Sequence, residues 1–333
     1  MPATCPYNIP IVTLPPHQVN GFSWGPPIRP LNDACLGGIA VSPANEHAWY
    51  VSGASGLYMT KDGGQTWTHP ITGSTGPLLL VPGRPQLVYV AVGEALYLSR
   101  DEGKDWTLLH TFAEPVMSLL VVGQHLYVGL AWSSHAQPSG VFVANLGAGN
   151  PVFHAFGPGH TGLIVWTLAH DPLSGELYAG TEIFDHPKPY HPPFFRSSDG
   201  GSTWANVAGT LPWHVDRAAV RPTDGYVYAL TEGSGLFGSA DKGTTWQAPI
   251  PGLCPSVSLL VHPKKPKHVF GGAQRVGLLD GGLFLSQNAG KSFTSIGLEG
   301  VTVSGLAVNE TGTRLFAVAY ASGVYSSPIP ASA

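Results

Sequence analysis

Three short apolar runs recur in a fixed order along the chain, and most sets end in a polar turn. The first run of each set is nearly continuous: GIAVSP, LLLVPG, SLLVVG, TLAHDP, RAAVRP, SLLVHP and GLAVNE. The second carries aromatic or β-branched residues: AWYVSG, LVYVAVG, HLYVGL, ELYAGT, YVYALT, HVFGGA and RLFAVA. The third reads GLYMT, ALYLS, GVFVA, PFFRS, GLFGS, GLFLS and GVYSS, with starts 39 to 53 residues apart. A continuous apolar run predicts a strand buried on both faces, whereas the alternation in the later runs predicts half-buried strands. The aromatic residue after the polar turn opens a fourth strand. Each set is therefore a four-stranded antiparallel sheet, and seven such sheets predict an all-β fold, a seven-bladed β-propeller.

The expected organisation is a single propeller over 1–333, with repeats near 36–68, 76–107, 115–155, 164–206, 214–248, 256–294 and 302–328. The last repeat stops at GVYSSPIPASA without a polar turn or a Trp, while NGFSW near the N-terminus matches only part of that motif. Residues 7–25 are accordingly expected to supply the missing outer strand and close the ring, leaving no long open edge.

The polar turn has the form S/T-x-D-x-G-x-x-W at Thr60–Trp67, Ser99–Trp106, Ser197–Trp204 and Ser239–Trp246, with a degenerate copy carrying Asn288 and Phe293. These strings resemble the Asp-box, or bacterial neuraminidase repeat. The resemblance implies a hairpin on the blade periphery, away from any site. Residue chemistry agrees: the Asp carboxylate can accept backbone N–H groups of its own turn, Gly permits positive φ, and Trp packs between blades. The repeated Asp residues are thus expected to be structural.

Composition narrows the partners. Only 11% of residues are charged, the net charge is -4, and the densest basic run is HPKKPK at 262–267. Nucleic-acid and anionic-membrane partners are not expected. The 43 Gly and 31 Pro fall between apolar runs and read as turns. Cys5, Cys35 and Cys254 have no metal spacing; buried free thiols are the expectation, ahead of a Cys5–Cys35 bridge. The N-terminus shows no basic start followed by an apolar stretch, so a cytoplasmic location is the default expectation, or a secreted one if a signal peptide has been removed.

A site should lie where one repeat departs from its siblings. At one aligned position of the first strands the residues are Gly38, Leu78, Ser118, Thr167, Arg217, Ser258 and Gly305, so Arg217 is the outlier. The preceding position reads Gly37, Pro77, Met117, Trp166, Asp216, Val257 and Ser304. Repeat five thus carries WHVDR, and His214, Asp216, Glu114 and His160 are the candidate acid–base residues. Strict alternation would send His214 and Asp216 to one side and Arg217 to the other. The structural alternative is an ion pair of Asp216 with Arg217 and Arg221. Candidate ligand contacts are Arg217, Asp33, Glu182, Glu232 and Arg275. Trp132, Trp166, Tyr190, His186 and His191 join them, several on the Pro-rich loop 181–195. No cofactor is expected, and His186 with His191 lacks a third metal ligand.

The Asp-box resemblance reaches several functional classes. Sialidases share it, but they pair an arginine triad with an F/Y-R-I-P motif, and here PIRP with Arg29 fits poorly. Xyloglucan-degrading glycosidases are similar, though they use a cleft between two propellers. The photosystem assembly factor of plants and cyanobacteria is a single propeller acting as a scaffold through an arginine-rich face, which this chain lacks. The expectation is recognition of a saccharide-like or other small polar ligand, with a glycoside hydrolase or polysaccharide lyase as its enzymatic form. A non-enzymatic protein-binding scaffold is the alternative, since a propeller by itself decides no function.

Overall fold

The computed structural model describes residues 13–28, 35–131, 140–147, 151–155, 157, 163–183, 193–231, 233–247, 249–250, 256–276 and 279–331. Among the described residues there are 28 strands and no helix. Blade one comprises Leu36–Val41, Trp49–Gly53, Gly56–Thr60 and Thr68–Thr72. Blade two comprises Thr75–Val81, Arg84–Val92, Ala95–Ser99 and Thr107–Thr111; blade three Val116–Val122, His125–Leu130, Val141–Asn145 and His154–Ala155. Blade four follows with Leu163–His170, Leu177–Ile183, Phe194–Ser197 and Ala205–Asn206, and blade five with Val215–Val220, Val227–Thr231 and Gly235–Ser239. Blade six is Ser256–Val261, Val269–Val276, Leu279–Ser286 and Thr294–Gly297, and blade seven is Val303–Val308, Arg314–Ala319 and Gly323–Pro328. Every blade is an antiparallel meander with consecutive strands as neighbours. The fold is a seven-bladed β-propeller.

Blades five and seven each have three strands, and each gains a single bridge where the fourth would run: Leu236 with Ile250, and Val324 with Ile28. Ile28 and Val324 exchange both backbone hydrogen bonds at 2.8 Å. Ahead of Ile28, the hairpin His17–Val19/Phe22–Trp24 buries Phe22 and Trp24 in the core formed by blades six and seven. The Trp24 indole donates to the Ile296 carbonyl at 2.6 Å.

Backbone contacts divide the chain into two compact units. One comprises Met1–Val92, Leu96–Leu108 and Pro255–Ala333, and the other Gly93–Ala95 and Leu109–Cys254. Burial within them reverses one expectation. The middle strands Trp49–Gly53, Gly56–Thr60, Val227–Thr231 and Gly235–Ser239 are buried at every position. The first strands, despite their apolar runs, are mostly half-exposed, as in Leu36–Val41 and Val215–Val220. A middle strand has a strand on each side and neighbouring blades on its faces, whereas a first strand has no further strand along its outer edge. Cys35 is a second correction: it is disulfide-bonded, not a free thiol. Cys5 and Cys254 lie outside the described residues.

The repeated turns are wired alike. In blade four Asp199 Oδ1 accepts the Ser197 hydroxyl at 2.8 Å and the Thr203 backbone N–H at 2.9 Å, and Asp199 Oδ2 accepts the Thr203 hydroxyl at 2.7 Å. The residue after the Asp is left-handed, with φ 60° at Glu102, 71° at Gly200 and 62° at Lys242. That conformation presents its carbonyl to the preceding blade. Tyr50 donates its hydroxyl to the Glu102 carbonyl at 2.9 Å, Tyr127 to that of Gly200 at 3.0 Å, and Arg196 reaches that of Lys242. The turn recurs because it ties one blade to the next.

These hydrogen bonds favour the ionised Asp. The bonds from Thr66, Thr203 and Thr245 hold the carboxyls of Asp62, Asp199 and Asp241 down to about 2, below the usual 3.8. Because the folded-state pKa is depressed, the stabilisation is complete above the unfolded value and is lost as pH falls through about 2. The melting temperature is therefore expected to fall steeply on acidification from pH 4 towards 2, and less steeply in an Asp62→Asn, Asp199→Asn, Asp241→Asn triple variant. Equal slopes for the two proteins would defeat this assignment.

Near its start, the first strand of every blade carries one residue more than the stretch it pairs with. In blade three Val116 pairs with Leu130 and Ser118 with Gly129, leaving Met117 over; the same slip leaves out Trp166, Asp216, Val257 and Ser304. In blades one and two the slip falls at Gly37–Gly38 and Gly76–Pro77. A bulge re-aims the side chain of the surplus residue. Directly after it, a small hydroxyl couples neighbouring blades within a unit. Ser118 Oγ donates to the Val165 carbonyl at 2.9 Å, Ser258 Oγ to that of Val303 at 2.8 Å, and Thr167 Oγ1 accepts from the Ala218 N–H at 3.3 Å.

Candidate functional site

Blades four and five put their bulge side chains, Trp166 and Asp216, into one cluster. His214 sits just before the first strand of blade five, and Glu182 lies on the second strand of blade four, opposite Ile164. His214 Nε2 is 3.0 Å from Asp216 Oδ1, and its Nδ1 is 3.8 Å from Glu182 Oε1. Glu182 Oε2 accepts the Trp166 indole N–H at 2.9 Å, and the indole lies nearly parallel to the imidazole, with centroids 6.3 Å apart. Three side chains thus close a loop, indole to carboxylate to imidazole and back to the indole face, and the imidazole reaches the second carboxylate outside it.

Burial gives the loop its chemistry. The His214 side chain is 8% exposed, while Glu182 and Asp216 keep 17% and 23% of their surface in solvent. A carboxylate thus stands beside each imidazole nitrogen, and the indole face of Trp166 lies alongside the ring. The exposed carboxylate edges remain as acceptors, and the imidazole can hold or release a proton. Trp213, next in the chain to His214, is 48% exposed and offers an aromatic surface. In the sequence, Trp213 is marked only as an aromatic beside the outlier residues of WHVDR.

Arg217 does not behave as simple alternation predicts. Asp216 is the bulge residue, so strict alternation fails between Val215 and Arg217. Arg217 Nη1 donates to the Asp216 carbonyl at 2.7 Å, and Arg217 stays half-buried. Desolvation pulls its guanidinium pKa down, against the opposing pull of the Asp216 charge. The anticipated ion pair of Asp216 with Arg221 does not form. Arg221 grips Asp224 with two hydrogen bonds of 2.7 and 2.6 Å, and its guanidinium lies 4.6 Å from the Tyr226 ring centre. Three residues of separation within one turn make Asp224 the nearer carboxylate.

Of the other candidates, Glu114 is buried just ahead of the first strand of blade three. Asp33, Trp132, His160, His186, Tyr190, His191 and Glu232 lie outside the described residues, and only the backbone of Arg275 is described, paired with Asp280 in blade six.

No family model matches the chain, and no curated protein does. Solved structures do match, at identities that show the fold alone. A structure of YCF48 bound to D1 peptide is 15% identical with a TM-score of 0.63, covering 97% of this chain and 100% of that one. The GH74 xyloglucanase from Xanthomonas campestris is 17% identical with a TM-score of 0.66 over 92% of this chain. An ancestral GH74 enzyme is 16% identical with a TM-score of 0.71 over 93%. The chain spans about half the length of these two GH74 proteins, 53% and 46%.

Proposed function

We propose that the Trp166, Glu182, His214 and Asp216 cluster binds a polyhydroxylated, saccharide-like ligand. The observation that carries this reading is the single imidazole held between two partly exposed carboxylates against an indole. Carboxylate oxygens accept sugar hydroxyls, and indole surface suits the apolar face of a sugar ring. The same groups supply proton transfer, because His214, oriented by Asp216, is a competent acid–base group. A glycoside hydrolase or polysaccharide lyase is therefore the enzymatic form of this proposal. The Asp-box resemblance and the fold shared with GH74 enzymes support it.

The test is a glycan and polysaccharide panel scored for thermal stabilisation and for product release, comparing wild type with His214→Gln and Asp216→Asn. Saturation at 100 times Kd should add about 2.7 kcal/mol to stability. Both variants should lose that shift, and any product release with it. If no glycan shifts the wild type or is turned over, the reading fails.

The second reading is a peptide-binding scaffold. One observation favours it: the match to YCF48, whose structure contains a D1 peptide, is end to end in both chains. Peptide stabilisation of a protein indifferent to glycans would select it. For location, the Cys35 disulfide supports an oxidising compartment over the cytoplasm.

A further inference from the structure

Blade six holds a second concave site, and it does not rest on the reading above. A pocket of about 460 Å³ lies between the N-terminal hairpin and the degenerate turn of blade six. Asn20, Gln287, Asn288, Ser292 and Thr294 form its rim, with Phe22, Leu285 and Ile296 beneath. Its volume falls in the range of small-molecule sites, about 300–1,000 Å³. No lining residue is ionisable.

The turn beneath this rim is wired in reverse. In blades one, four and five a Thr hydroxyl donates to the Asp Oδ2: Thr66 to Asp62, Thr203 to Asp199 and Thr245 to Asp241, at 2.6 to 2.7 Å. In blade six the corresponding residues are Ser292 and Asn288. Asn288 Oδ1 accepts the Ser292 backbone N–H at 3.0 Å, a group that can only donate, so the amide orientation is determined. Asn288 Nδ2 then donates to Ser292 Oγ at 2.8 Å. The Ser292 hydroxyl has become an acceptor, and its hydrogen is no longer spent on the turn. The second Nδ2 hydrogen of Asn288 is spare as well. Across the rim, Asn20 Nδ2 donates one hydrogen to the Ser295 carbonyl at 2.7 Å, and its Oδ1 is an acceptor.

We infer that this pocket is a binding site for a neutral sugar ring. Its rim carries hydroxyl and amide groups able to donate and accept, above the buried side chains of Phe22, Leu285 and Ile296, and supplies no counter-charge. A charged ligand would lose hydration without compensation, whereas a neutral ring that exchanges its hydroxyls' water contacts for the polar rim would not. Replacing Asp by Asn keeps the turn intact while removing the negative charge and releasing the Ser292 donor.

The test is titration of methyl glycosides of glucose, galactose and mannose, with glucuronate as the charged comparison, read by calorimetry or saturation-transfer NMR. Wild type, Asn288→Asp, Ser292→Ala and His214→Gln are compared. Asn288→Asp restores the wiring of the sibling turns, so it should fold, and unchanged melting confirms that. At least one neutral glycoside should bind, about tenfold more weakly to Asn288→Asp and to Ser292→Ala, each of which removes a ligand hydrogen bond. His214→Gln should bind it unchanged. The inference is overturned if no neutral glycoside binds wild type, if glucuronate binds equally well, or if the blade-six variants bind like wild type. Loss in His214→Gln alone would assign the sugar to blades four and five and overturn it too.

Discussion

Gly180→Ala is expected to lower stability by about 3 kcal/mol, near the upper end of overpacking costs. A Cβ at Gly180 would lie 2.4 Å from the Val215 carbonyl oxygen and 2.5 Å from Thr167 Cγ2. Backbone on one side and a buried side chain on the other leave it nowhere to go. Blades three and six are built alike, with a Cβ at Gly129 2.2 Å from Ser118 Oγ and one at Gly272 2.4 Å from the Val303 oxygen. All three glycines pair with the hydroxyl residue after the bulge, where blades come closest. The melting temperature should fall by roughly 4 °C. Gly25→Ala is the control, since a Cβ there meets nothing within 4 Å. Because Val215 sits between His214 and Asp216, Gly180→Ala should also weaken whatever the cluster binds. A melting temperature within a degree of wild type would show that the blades can separate at no cost.

Reduction of the Cys35 bridge is expected to cost about 2–4 kcal/mol. Thiol titration of the denatured, unreduced chain should give one thiol per molecule, since three cysteines less one bridge leaves one. Reductant should lower the melting temperature of wild type and leave Cys35→Ser unmoved. Peptide mapping of the unreduced protein then identifies the partner. Three thiols in the unreduced protein would dispose of both the bridge and the oxidising compartment proposed from it.

The repeat was legible because each blade writes the same three runs and, in most, the same turn, and Asp199 or Asp241 can be placed in its hydrogen-bond ring from spacing alone. What escaped the sequence depends on counting across two strands. The surplus residue at Asp216 shows only when Val215 is paired with Thr231 and Arg217 with Leu230, so alternation misjudged Arg217. Glu182 and His214 were both named from the sequence, yet their meeting depends on how blade four lies against blade five. The burial of the middle strands escaped for the same reason: a run such as WYVSG is covered by other blades, which no local pattern records. The blade-six pocket was visible only as an irregularity, Asn288 in place of Asp, whose meaning required the direction of a hydrogen bond.

The seven bulges also bear on how such a chain acquires new chemistry. Each surplus residue stands outside the ladder pairing of its sheet, so its side chain can change without disturbing strand register. Gly, Pro, Met, Trp, Asp, Val and Ser all occupy these places in one molecule. The fold thus carries a set of interchangeable sockets, one per blade. In such an architecture a binding site can be rewritten by point substitution at Met117 or Val257 while the glycines and hydroxyls beside them keep the blades together.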